Sequence, residues 1–138
     1  MKIHVIKGKT NLSNTYLIQS DSKEIIVIDP SDYNRIKSYM LDNNVTIRYV
    51  ILTHEHWDHI IGLNQLREEN NCMVISTMNC SEAIGDSKRN LSRYRTILSA
   101  ESGSVRTEVI FNKVEMAFEG SCELWWNNQT IKLIETAG

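Results

Sequence analysis

The amino-acid sequence predicts a layered α/β fold, and three observations carry that prediction. Strand-like and helix-like segments alternate through residue 90. Two strand-like segments, Ile25 to Ile28 and Tyr49 to Leu52, are apolar on both faces, as strands covered on both sides must be. Towards the C-terminus the helix-like segments thin out and β texture takes over.

The elements follow in order. Lys2 to Ile6, Asn14 to Gln19 and Glu24 to Asp29 are short and rich in Ile, Val and Tyr, with turn residues such as Asn11, Ser13, Asp21 and Ser22 between them, and read as strands. After Pro30, Ser31 and Asp32 offer N-cap oxygens to a helix whose Ile36, Tyr39 and Met40 share one face and which Asn43-Asn44 stops. Tyr49 to Leu52 is a central strand. Ile60, Leu63 and Leu66 trace a second helix, and Cys72 to Ser76 returns as a strand. Leu91, Tyr94, Ile97 and Leu98 mark a further helix. Glu108 to Phe111, Ser121 to Trp126 and Gln129 to Glu135 read as strands, the last two joined by a tight turn at Asn127-Asn128.

Composition bounds the partners. The 138 residues suit one domain spanning 1–138, with 41% hydrophobic residues to build a core. A net charge of −2 argues against nucleic acid as the main partner. No apolar run has transmembrane length and the start lacks a signal-peptide core, so the expectation is a cytoplasmic chain with no membrane role. Three scattered cysteines, Cys72, Cys80 and Cys122, imply free thiols and no disulfide framework.

One segment carries chemistry. Residues 53 to 59 read Thr-His-Glu-His-Trp-Asp-His, directly after a buried strand, and hold three of the four histidines. Residues two apart in extended backbone face the same way, so His54 and His56 can grip one cation while Asp58 and His59 serve a second. Clustered imidazoles are hard to explain by packing, because they bury badly without a partner. Nitrogen and carboxylate donors suit zinc, and also iron or manganese. The remaining histidine, His4, lies on an apolar strand and reads as structural.

These residues resemble the H-x-H-x-D-H signature of the metallo-β-lactamase superfamily, which His54, His56, Asp58 and His59 match one by one. Asn14 to Ile18 is similar to that family's early strand, Ile28-Asp29-Pro30 to its aspartate turn, and Ile131 to Gly138 to the strand entering a T-P-G-H-T segment. The resemblance implies an αββα sandwich, present here as its N-terminal part, and a small-molecule substrate. It also implies up to two zinc ions, Asp29 supporting the metal loop from behind, and a metal-activated hydroxide oriented by Asp58. The hydroxide would attack an ester, thioester, lactam or phosphodiester. Ile61 replaces a glycine frequent in the family, Ala137 replaces its proline, and the chain reaches Gly138 one residue before the family's third histidine. The complete protein is therefore expected to be a metallo-hydrolase, and these 138 residues alone to bind metal weakly with low or no activity.

Other readings follow from the same residues. An apolar sheet face left uncovered would drive self-association to a homodimer or higher oligomer, making the chain a non-catalytic half-fold module. A superfamily nuclease could use Lys88, Arg89, Arg93 and Arg95, though a solvated helix face is the commoner explanation for such a run. Iron at the same site would allow a redox role. Alternation places one of Trp125 and Trp126 in the core and the other outside, and Trp57 in the metal loop is the better candidate for a pocket wall.

Overall fold

The computed structural model describes residues 1–8, 13–95 and 108–137. Its main sheet has six strands in sequential order: β1 (Lys2–Lys7), β2 (Asn14–Gln19), β3 (Glu24–Ile28), β4 (Thr46–Ile51), β5 (Met73–Thr77) and β6 (Met116–Phe118). The first three pair antiparallel, and β3 to β6 run parallel. Parallel neighbours need crossovers, and the helices supply them: α1 (Tyr33–Asn43), α2 (Trp57–Ile60), α3 (Leu63–Glu69) and α4 (Met78–Ala83). A hairpin of β7 (Ser121–Trp126) and β8 (Gln129–Ile134) forms a second, two-stranded sheet.

Two cores lie on opposite faces of the main sheet. Ile25, Val27, Val50, Leu52 and Val74 point to the helices and meet Ile36, Ile60, Leu63 and Leu66. Ile26, Tyr49, Ile51 and Ile75 point the other way and meet Leu124 and Trp126 of the hairpin. Both-face apolarity of β3 and β4 thus has its predicted cause. A bulge between Ile25 and Ile26 shifts the pairing with β4, so Ile47 and Val50 share the helix-facing core although three residues apart. Helices, six-stranded sheet and hairpin make an α, β, β stack that corresponds to three layers of the expected sandwich.

Local chemistry sets the boundaries. Asp32 caps α1, its carboxylate accepting the Arg35 N–H at 3.3 Å, and Asn44 ends it in the left-handed region at φ 50°. Asn127 and Asn128 take φ of 55° and 62°, the backbone that a two-residue hairpin turn requires.

Several expectations are corrected. Residues 108–111 form no strand; Phe111 N–H instead bonds the Ile84 carbonyl at 3.1 Å. The run from Lys88 to Tyr94 is a series of turns ending in a 3-10 turn (Ser92–Tyr94), because Asn90 and Ser92 spend their polar groups on local backbone; Ile97 and Leu98 lie outside the described residues. The hairpin covers the inner face at β3, where Ile26 is fully buried. What stays uncovered lies further out on β1 and β2, where Ile3 is 62% and Val5 46% exposed.

Candidate metal centre

β3 and β4 are parallel neighbours that end side by side, so the residues after them share one rim of the sheet. Asp29 follows β3, and the loop 53–56 follows β4. The Asp29 N–H bonds the Ile51 carbonyl at 3.0 Å, which ties the two strand ends together. Its φ of 52° is unusual for a residue with a side chain and turns the carboxylate over the loop. The Thr15 hydroxyl (2.5 Å) and the Ser31 N–H (2.8 Å) both bond the Asp29 carbonyl and hold that turn.

Buried at 3% exposure, the Asp29 carboxylate accepts three hydrogen bonds. They come from the Thr53 N–H at 2.8 Å, the Thr53 hydroxyl at 2.5 Å and His59 Nδ1 at 3.0 Å. Ligand atoms of Asp29, His54 and His59 all lie within 4.8 Å of one another. Those three hydrogen bonds tie the Asp29 carboxylate to the loop that carries the histidines.

The His54 ring is the hub of the cluster. It meets His56 edge-on with centroids 4.6 Å apart and His59 with centroids 4.1 Å apart. His56 precedes α2 and the Asp58 carboxylate opens its first turn, 3.9 Å from His59 Nε2. The loop therefore gathers three imidazoles and a carboxylate; His56 and Asp58 adjoin the tight Asp29–His54–His59 group from outside it. Such a donor set fits a cation such as zinc, and equally iron or manganese.

The imidazoles differ in charge preference. Burial, and then the nearby His59, push the His54 pKa below its ordinary value, which favours the neutral form that a metal needs. The hydrogen bond that His59 donates to Asp29 raises that of His59, against a smaller opposing effect of burial.

Neighbours steady the loop. The Ser13 hydroxyl donates to the Asp58 carbonyl at 2.9 Å, and the Trp57 N–H to the Asn90 carbonyl at 2.8 Å. Trp57 is 8% exposed, with the Arg95 guanidinium 4.6 Å from its ring centroid, so it packs inward and does not wall an open pocket. His4 stacks on Tyr39 with centroids 4.9 Å apart, consistent with a structural role. The sequence reading attached no part in the site to Thr53, Ser13 or Asn90.

Comparison with known proteins places these observations. The family profile described as "Metallo-beta-lactamase superfamily" matches residues 8–113. The hydroxyacylglutathione hydrolase of Pelagibacter ubique (strain HTCC1062) is 36% identical over 76 residues, covering 54% of this chain and 31% of that protein. Hydroxyacylglutathione hydrolase 1 of Vibrio vulnificus (strain YJ016) is 33% identical over 69 residues, covering 50% of this chain and 28% of that protein. The crystal structure of the BLEG-1 B3 metallo-beta-lactamase matches 94% of this chain and 58% of its own with a TM-score of 0.75, and at 21% identity it speaks to the fold alone. The aligned region makes up about a third of each of these hydrolases.

Proposed function

This chain belongs to the metallo-β-lactamase superfamily, and on that footing we propose that it is the cation-binding part of a hydrolase whose substrate is a small thioester of the hydroxyacyl-glutathione type. One observation carries the reading: three imidazoles and a carboxylate gather at the rim of a parallel sheet, with a buried aspartate orienting them. The thioester is preferred to a lactam because two hydroxyacylglutathione hydrolases are 33% and 36% identical across the matched region, whereas the lactamase likeness is one of fold.

His54 and His56 would hold one cation, and Asp58 with His59 a second, zinc being the expected metal. Such a cation supplies Lewis acidity towards a carbonyl and lowers the pKa of water. The residues of the chain do the positioning. His54 is kept neutral by burial, and His59 is held through Nδ1 so that Nε2 is available. Asp58, its side chain 18% exposed, borders the same space and can accept a proton from an attacking water and aim it. We further take 1–138 as belonging to one domain, since its segments share two continuous cores.

Calorimetric titration with Zn²⁺ tests the site: the chain takes up the ion, and His54→Ala and His59→Ala weaken that uptake. Identical isotherms for all three proteins would overturn the assignment. Hydrolysis is tested on the longest natural polypeptide carrying this sequence, where Asp58→Asn lowers thioester turnover by about 10²–10⁴-fold. Preferential turnover of a β-lactam would replace the substrate assignment.

A second reading has its own observation. Ile3, Val5 and Tyr16 form an exposed apolar strip on the hairpin side of the sheet, at 62%, 46% and 38% exposure. A second copy covering that strip would give the self-association expected of a half-fold module. Light scattering shows a concentration-dependent mass if so, and a constant monomer mass rejects it.

A further inference from the structure

We infer that Thr53 is a positioning residue that relays the proton preference of Asp29 to His54 and so fixes the tautomer of that imidazole. The inference rests on the metal-site reading only for its purpose; the hydrogen-bond logic stands without a cation.

A carboxylate accepts hydrogen bonds and donates none, and a threonine hydroxyl has a single proton. The Thr53 hydroxyl lies 2.5 Å from Asp29 Oδ2, the short separation of a charge-assisted O–H···O bond, so its proton points at Asp29. The same oxygen lies 2.9 Å from His54 Nδ1. With its proton committed, Oγ1 can only accept there, and His54 Nδ1 must carry the hydrogen. The Nε2 lone pair is then left for a cation. His59 reaches the same state by a direct route, Nδ1 donating to Asp29 Oδ2 at 3.0 Å. One carboxylate thus sets two imidazoles, one directly and one through a hydroxyl.

The geometry also explains why the relay holds its shape. The Thr53 N–H donates to Asp29 Oδ1 at 2.8 Å, so backbone and side chain of one residue grip both carboxylate oxygens. That backbone bond survives any change of side chain. Thr53 is itself exposed, so the isosteric Thr53→Val removes the hydroxyl without opening a core cavity.

Long-range ¹H–¹⁵N correlation NMR of the cation-free chain, at a pH where its histidines are neutral, reads the tautomer directly. Wild type and Thr53→Ser show His54 protonated on Nδ1. Thr53→Val shows a mixture or the Nε2–H form, while His59 stays on Nδ1. Zn²⁺ affinity, measured by competition with a chromophoric chelator, falls by about 10- to 100-fold in Thr53→Val and is restored in Thr53→Ser. An Nε2–H His54 in wild type, or a Thr53→Val variant with unchanged tautomer, overturns the relay. If the tautomers behave as stated but wild type takes up no Zn²⁺, the relay stands and the metal-site reading fails.

Discussion

At Asp29 the backbone sits at φ 52°, a conformation that costs a residue with a side chain about 1–2 kcal/mol. Short polar side chains tolerate it best, and here it lets one residue bond β4 through its N–H and the loop through its carboxylate. That residue was singled out through the family resemblance of Ile28-Asp29-Pro30, while the residue pattern itself put it at the end of a strand. Thr53 was not, since its partner lies 24 positions earlier and no local pattern records the contact. The cysteines were read correctly as free thiols. Burial pushes Cys80 up to about 12 and Cys72 to about 11, while Cys122 is raised by burial and stays partly exposed. Because the thiolate is the reactive form, iodoacetamide at pH 8 should modify Cys122 first and Cys80 only as the chain unfolds. Peptide mapping over time would check this, and early labelling of Cys80 would show its surroundings to be more open.

Among the elements, α2 and α3 join at Gly62, which packs against the turn after β3. A Cβ on Gly62 would lie 2.7 Å from the Pro30 carbonyl oxygen and 2.9 Å from the Tyr33 nitrogen, both backbone atoms that cannot swing aside. Gly62→Ala should therefore cost about 1–3 kcal/mol, read as a lowered urea midpoint. α1 and α3 are clasped by Glu69, which accepts from the Tyr33 hydroxyl at 3.0 Å and Lys37 Nζ at 2.8 Å. The Lys37 bond, then that of Tyr33, hold the Glu69 pKa below its ordinary value of 4.5. A depressed carboxylate stabilises the fold above its unfolded pKa and loses that effect as pH falls through the folded one. Glu69→Gln should thus flatten the acid limb of a stability-against-pH curve, by a small amount because the pair is exposed and screened. An unchanged acid limb would show the clasp to be inert.

The strands β2 and β7 were legible because alternation and turn residues are local signals. By contrast α4 was missed: it spans six residues, follows β5 without a break and buries only small side chains, Cys80, Ser81 and Ala83. β6 was missed because three residues carry no periodicity, and only pairing with β5 makes them a strand. Glu108 to Phe111 has strand-like composition, yet Val109 bonds the side chains of Ser92 and Asn90 instead of a neighbouring strand.

Across the whole molecule, the hairpin decides whether the inner face of the sheet is dry. Trp126 is 2% exposed and packs with Ile26, Ile51 and Ile75, whereas Trp125 is 65% exposed, as alternation along β7 requires. Trp126→Ala should cost about 3–5 kcal/mol in chemical denaturation. Trp125→Ala should change it by no more than about 0.5 kcal/mol. Equal losses would mean that the hairpin is not a covering layer. Among the described residues no helix is long and apolar enough to cross a membrane. Within the basic run Arg89 bonds Asn79, Arg93 pairs with Glu108 and Arg95 lies over Trp57, while Lys88, Arg89 and Arg93 stay exposed.

Placing Asp29 beside the loop after β4 has a consequence for biosynthesis. Every side chain of the cluster, from Asp29 to His59, precedes β5 to β8 in the sequence and is synthesised before them. Contacts close in sequence form early, so a growing polypeptide should assemble this receptacle while its C-terminal portion is still being translated. Ion capture would then be an event of synthesis, one that itself favours the folded form of the nascent segment.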